Sequence, residues 1–332
     1  MGGDRSDQSS KSQRTDAPQK PAHNRETLQE NPKMAKKRSH LAGIIPIANF
    51  DDALGTQFPS GLLPLEKDFT MIQKSVYECA IAGCNTIWIV ANDDMAPIIK
   101  HHIGEWIYDP VYLNRARTAI GNDIARRNIP IYYVPVLPKD RDRRDSYGWS
   151  ALFGMHSAWY ISYRISKWVI PQKYYVSFPH SIHDIYQLRA DRLAISHTRK
   201  NYFLTHEGKT IKDGLPISFS MRGKDFINCR RRINELTTKT YEPPKEGETY
   251  EDMTMLPFEE RWSARWFDLE TIFEKVSEED AAYNEVEWYH DLTTWEGYRT
   301  YLGSRNAIVR PEVHLTKPHQ LNRLCVDEEG EE

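Results

Sequence analysis

Between residues 43 and 178 short apolar runs alternate with helix-length stretches, and this alternation constrains the fold more than any other feature. Gly43-Ile-Ile-Pro-Ile-Ala48 is followed by a helical pattern with Thr70 as N-cap, Ile72, Val76, Cys79 and Ala80 on one face, and Gly83 as its stop. Thr86-Ile-Trp-Ile-Val-Ala91 reads as a strand buried on both faces. Asn92-Asp-Asp94 can then cap a helix that runs through Ile98 and Ile99 to Ile103. After an irregular stretch at 105–128 the rhythm resumes with Ile129 to Val136, a long helix over 149–169 and a strand over 173–178. Strand followed by helix followed by strand is the pattern of a parallel sheet covered by helices on its faces, so the expected class is α/β, Rossmann-like, with a mixed but mostly parallel sheet.

The second half is more mixed. Tyr202 to Thr205 and Ile217 to Ser220 read as strands and 223–236 as a helix, and 237–257 reads as an acid-rich loop insertion. A helix over 266–277, a strand over 284–288 and a helix over 294–303 follow. The expected organisation is a polar, disordered arm at 1–40, a folded α/β domain at 41–303 and an extension at 304–332 that ends in acids. Residues 1–40 have hardly an apolar side chain and cannot offset the entropy of ordering.

Charge excludes some classes of function. The chain carries 44 Lys and Arg against 47 Asp and Glu, so it is no polycation. Apart from the basic arm and the acidic end, the body is near neutral, with positive charge gathered at 139–144 and 222–232. No apolar run approaches the ~20 residues of a membrane span, and the N-terminus has no apolar signal region, so no membrane partner is expected and the cytoplasm is the default compartment. The four cysteines contain no CxxC and read as reduced thiols.

Several groups of residues could carry chemistry. In an open parallel sheet ligands bind beyond the carboxyl ends of the strands, and the loop after the first strand places Gly55 and Thr56 there to offer backbone N–H groups to phosphate. Asp291, at a strand end before a helix cap, can hold Mg²⁺ against phosphate oxygens or serve as an N-cap. Lys139-Asp-Arg-Asp-Arg-Arg-Asp145 follows the strand ending near Val136. Its Arg141 and Arg144 could clamp phosphate, and Asp140 and Asp142 have the Asp-x-Asp spacing of a metal-bound nucleotide-sugar site, against the plainer reading of a solvated charged loop. His180-Ser-Ile-His183-Asp184 could ligate a transition metal or cap a helix. Arg230-Arg231-Arg232 could meet nucleic acid or pair with the acids at 245–252, and the pairing is favoured.

Two passages together resemble the sugar nucleotidyltransferases, which join a sugar 1-phosphate to a nucleoside triphosphate and release pyrophosphate. Ile44 to Leu65, with Gly55-Thr56-Gln57 and Leu62-Leu63-Pro64, is similar to the family's opening motif. Trp288 to Tyr298 is similar to its closing motif, and the resemblance spans about residues 41–303. It implies a sheet of the nucleotide-diphospho-sugar transferase type, with nucleotide or nucleotide sugar and a sugar phosphate as ligands and Mg²⁺ as cofactor. Gln57 stands at the family's arginine and Gly148 at its base- or sugar-contacting helix start. Asp291 stands at a metal ligand, and Asp184 could replace the second ligand, whose place is taken by Phe178-Pro179-His180. The implied activity is nucleotidyl transfer. A glycosyltransferase using an NDP-sugar is the second reading. The third is an inactive member of the fold used for binding or assembly, of a kind that suits a virus-encoded accessory protein.

Overall fold

The computed structural model describes residues 40–48, 53–111, 128–141, 146–239, 254–257, 262–263, 267–306 and 308. Strand β1 (Leu41–Pro46) is followed by a ribbon of β2 (Pro64–Glu66) and β3 (Phe69–Thr70), then by α1 (Met71–Ala82) and β4 (Thr86–Asn92). Next come α2 (Ala96–Ile103), β5 (Trp106–Tyr108), β6 (Asn128–Val136), the single turn α3 (Pro138–Arg141) and the long α4 (Tyr147–Ile165). β7 (Lys173–Val176), β8 (Ser181–His183), α5 (Leu188–His197), β9 (Tyr202–Thr205), β10 (Phe219–Arg222) and α6 (Gly223–Thr237) continue the chain. It closes with β11 (Thr238–Lys239), β12 (Trp262–Ser263), α7 (Leu269–Phe273), β13 (Ala282–Glu285), β14 (Tyr289–Asp291) and α8 (Trp295–Leu302).

Local chemistry sets the boundaries of α1. The Thr70 hydroxyl accepts from the Gln73 backbone N–H while the Gln73 side chain accepts from the Thr70 N–H, which satisfies two end donors at once. Gly83 ends the helix at φ +95°, a left-handed conformation that costs glycine little. β1 is buried at all six positions, as a central strand covered on both faces must be.

The main sheet has eight strands in the order β13-β9-β10-β7-β1-β4-β6-β5. β7, β1, β4 and β6 run parallel, as do β13 and β9, while β10 and the edge strand β5 are antiparallel to their neighbours. The mostly parallel α/β sheet expected from the alternation is therefore the one observed. One face is covered by α1, α2, α5 and α8, around Ile72, Val76, Ile99, Ile195 and Tyr301. The other is covered by α4, α6 and α7, around Leu152, Met155, Phe226, Ile233 and Phe273. Gly154 lets α4 settle onto the strands, since a methyl group there would come within 2.6 Å of Val90 and 2.8 Å of Ile44.

The structure departs from expectation at several boundaries. The long helix covers 147–165 rather than 149–169, because Ser166 is extended and Lys167–Val169 form a 3-10 turn. Trp106–Tyr108 adds an edge strand inside the stretch read as irregular, and α5 fills 188–197. The N-terminal arm, the acidic end and most of the 237–257 insertion lie outside the described residues. Among the described residues no helix is long and apolar enough to cross a membrane.

Candidate functional site

From β1 the chain crosses by α1 on one face to β4, which lies beside β1. It later returns by α4 on the opposite face to β7, on the other side of β1. Strand order thus reverses at β1, the chain moving outward to β4 on one side of it and returning to β7 on the other. In sheets of this kind ligands bind beyond the carboxyl ends of the strands at such a reversal. Hydrogen bonds Ile47 N–H to Val90 O (2.8 Å) and Ser177 N–H to Ile44 O (3.0 Å) carry the register to the carboxyl ends of these strands.

The loop after β1 forms one wall. Leu54 is buried, Gly55 adopts φ +58° in open space, and Gly55, Gln57 and Phe58 are exposed. The Thr56 hydroxyl donates to Phe58 O at 2.7 Å and tightens the tip. The C-terminal segment holds this loop from outside. Ala53 N–H donates to Thr293 O (3.0 Å), Trp295 Nε1–H to Leu54 O (2.9 Å) and the Tyr298 hydroxyl to Pro64 O (2.6 Å). Leu292 N–H donates to His180 O at 2.8 Å, so the segment after β7 joins the same rim. Asp291 therefore lies on the rim that carries Gly55, two passages some 240 residues apart in sequence.

Beneath the rim lies a buried polar floor. His180 is 1% exposed, with one ring nitrogen 2.7 Å from the Ser60 hydroxyl and the other hydrogen-bonded to the Tyr147 hydroxyl. It ties the loop after β1 to the start of α4. Burial, with Lys74 adding to it, pushes its pKa down to about 3, so the ring is neutral. Lys74, wholly buried, donates to Glu78 (3.0 Å), Phe178 O (3.2 Å) and Ser181 O (2.6 Å) and so clamps the 178–181 turn from below. Glu78 also accepts from Tyr175 (2.8 Å) and Ser177 (2.6 Å). Burial opposes its ionisation, but Lys74, His183 and Ser177 outweigh it and hold the carboxyl well below the usual range.

The residues expected to act fall as follows. Arg141 lies beyond β6, but its guanidinium is paired with Asp93 (2.6 Å) and Asp94 (2.9 Å), the two residues after β4. Asp142 and Arg144 lie outside the described residues. Asp291 is exposed and its Oδ1 accepts from Thr293 N–H at 3.0 Å. Asp184 is not its neighbour. In the antiparallel ribbon of β8 and β14 Asp291 faces Ser181, three residues or roughly 10 Å along the strand from Asp184. Asp184 instead accepts from Tyr186 N–H at 2.8 Å. Gly148 is buried, and a methyl group there would meet Ile272 at 2.3 Å, so close packing of α7 accounts for glycine at that point.

His180 and His183 are both buried, and among the described residues no group of three or more His, Cys, Asp or Glu could hold an ion. Of the arginine run, Arg232 pairs with Glu274 (3.1 Å), while 245–252 lies outside the described residues. Sequence reasoning missed Lys74 and Glu78, whose i,i+4 spacing looks like that of an exposed surface pair.

No family model and no curated protein matches the chain. Among solved structures, an inferred glucose-1-phosphate thymidylyltransferase of Bacillus anthracis, in complex with a sucrose, is similar. It shows 13% identity over 81% of this chain and 97% of that one, with a TM-score of 0.47. A UDP-glucose pyrophosphorylase complexed with UDP-glucose shows 13% identity over 80% and 97%, with a TM-score of 0.44. A nucleoside-diphosphate-sugar pyrophosphorylase of Vibrio cholerae shows 10% over 79% and 100%, with a TM-score of 0.43. These figures describe a likeness of general layout and say nothing of what this chain binds.

Proposed function

We propose that the crevice at the carboxyl ends of β1 and β7 binds a nucleotide or nucleotide sugar, and that the protein transfers a nucleotidyl group to a sugar 1-phosphate. The observation that carries this is the joining of three segments, the Gly55 loop, the 177–181 turn and the Asp291 segment, at the point where strand order reverses. In the reaction a phosphate oxygen of the sugar 1-phosphate bonds to the α-phosphorus of the triphosphate while the bond to the β-phosphate oxygen breaks and pyrophosphate leaves.

Catalysis of such a transfer is mainly positioning and neutralisation of charge. The backbone N–H groups around Gly55 and Thr56 would take up phosphate oxygens, with Gln57 at the same tip. The Lys74 clamp and the His180 tie would keep the two walls of the crevice at fixed separation. Asp291 suits Mg²⁺: it is a hard oxygen donor on the rim, and Mg²⁺ commonly takes one or two carboxylates and completes its shell with water and substrate phosphate. When bound, the ion would neutralise the developing pyrophosphate. Arg144 and Asp142 are further candidates from the sequence alone.

A second reading, binding without transfer, is favoured by the pairing of Arg141 with two carboxylates, which takes one expected phosphate cation out of action. A thermal-shift panel of nucleoside triphosphates and NDP-sugars, with and without Mg²⁺, tests binding. Pyrophosphate release in the presence of sugar 1-phosphates then separates the two readings. No Mg²⁺-dependent shift with any nucleotide would remove both.

A further inference from the structure

The outer face of α4, away from the rim, carries a stripe that neither the core nor the crevice uses. His156, Trp159, Tyr160, Tyr163 and Arg164 follow one another at helical spacings of three and four, and Lys167 lies just beyond. His156 stacks on Tyr160 (6.1 Å, 19°) and Trp159 on Tyr163 (5.6 Å, 14°), while the Arg164 guanidinium lies 5.3 Å from the centre of the Tyr160 ring. Tyr160 and Tyr163 are 44% and 49% exposed. Tyr160 and Tyr163 thus turn much of their rings to water, beside the half-buried His156 and Trp159.

Charge indicates which partner. From Ser146 to His183 the sequence has no acidic residue, and neither Arg164 nor Lys167 takes part in an ion pair among the described residues. A row of flat rings with unneutralised cations at its end suits a polyanion that carries flat rings of its own. Bases stack on aromatic faces whatever their sequence, and the phosphates meet the cations.

We propose that the stripe from His156 to Lys167 is a stacking platform for single-stranded nucleic acid. It runs about 12 Å from His156 to Arg164 at the helical rise per residue, room for roughly two or three bases. Ile161 and Ile165 flank it and are exposed as well, so pairing with a second copy of the chain is the competing outcome.

The test uses the full chain and a fluorescein-labelled oligothymidylate of about 20 nucleotides, read by anisotropy at low and raised salt. The stripe is on the surface, so the variants should fold, which circular dichroism checks. Tyr160→Ala/Tyr163→Ala is expected to weaken binding about tenfold or more, at the lower end of what loss of two stacking faces does. Arg164→Glu/Lys167→Glu is expected to weaken it at low salt and to flatten its salt dependence. Comparison of variants matters because the N-terminal arm is itself basic. Wild-type affinity in both variants, or no binding at low salt, overturns the proposal. A dimer by light scattering that Ile161→Asp/Ile165→Asp disrupts, with no oligonucleotide bound, overturns it in favour of self-association.

Discussion

Replacing His180 with glutamine is expected to make the protein less stable at pH 7.5 and yet flatten its response to acid. The ring is buried, and burial together with Lys74 lowers its pKa from 6.5 to about 3. Its neutral form is therefore favoured in the fold, while in the unfolded chain it picks up a proton near pH 6.5. Between those values the unfolded state binds more protons, so stability falls as pH drops. The whole shift corresponds to about 5 kcal/mol, of which about 2 kcal/mol is lost by pH 5. Glutamine cannot titrate and keeps part of the hydrogen bonding to Ser60 and Tyr147, at a cost of about 1–3 kcal/mol.

The two stability curves should therefore converge near pH 5. The window from pH 7.5 to 5 isolates this effect. Glu78, held low, contributes stability that is lost only as pH falls below its ordinary 4.5, and Lys173, lowered to about 8 mainly by burial, changes the balance only above that value. His290, also lowered mainly by burial, titrates in both proteins and cancels in the difference. Urea unfolding at pH 7.5, 6.5, 5.8 and 5 in the two proteins measures the gap. A gap of constant size would refute the assignment of a neutral, buried His180.

Other substitutions probe the remaining parts of the site. Lys74→Met leaves the buried Glu78 carboxylate and two carbonyls without their cation, and urea melts should show a loss of about 3–5 kcal/mol. Lys74→Met/Glu78→Leu should be less damaging than the sum of the single changes, since it removes the uncompensated charge. Gly297→Ala puts a methyl group 2.0 Å from the Asp291 carbonyl oxygen, so it should lower both the melting temperature and Mg²⁺-nucleotide affinity. Asp93→Asn/Asp94→Asn takes two carboxylates from the Arg141 guanidinium, and inorganic tripolyphosphate should bind more tightly with a steeper salt dependence, while stability changes by no more than about 1 kcal/mol.

The parallel core was legible because its signals are local. The Thr70 cap, the Gly83 stop and the apolar runs at 43–48, 86–91 and 129–136, close to strands 41–46, 86–92 and 128–136, each follow from nearby residues alone. The return of Asp291 to the Gly55 rim was also implied, through the resemblance of two distant motifs. The floor of the site was hidden because it depends on tertiary cover. Lys74 and Glu78 lie off the stripe of Ile72, Val76, Cys79 and Ala80, and the packing of the 177–183 segment over them makes them buried. The β8–β14 ribbon escaped notice for a related reason, each partner being three residues long with no alternating pattern. The Arg141 pairing could have been suspected from Asn92-Asp-Asp94, but those acids read as a helix cap, whereas α2 starts after Met95 with no side-chain cap and the acids turn to Arg141 instead.

Calorimetric titration of the full chain and of Asp291→Asn with Mg²⁺ and a panel of nucleoside triphosphates and NDP-sugars tests the site most directly. At least one nucleotide should bind with Mg²⁺ and far less without it, and Asp291→Asn should lose at least tenfold of that affinity, about 1.4 kcal/mol, with its melting temperature unchanged. Binding of the same strength in Asp291→Asn, or no Mg²⁺-dependent binding of any nucleotide by the natural chain, would contradict a nucleotide site at the crevice between β1 and β7.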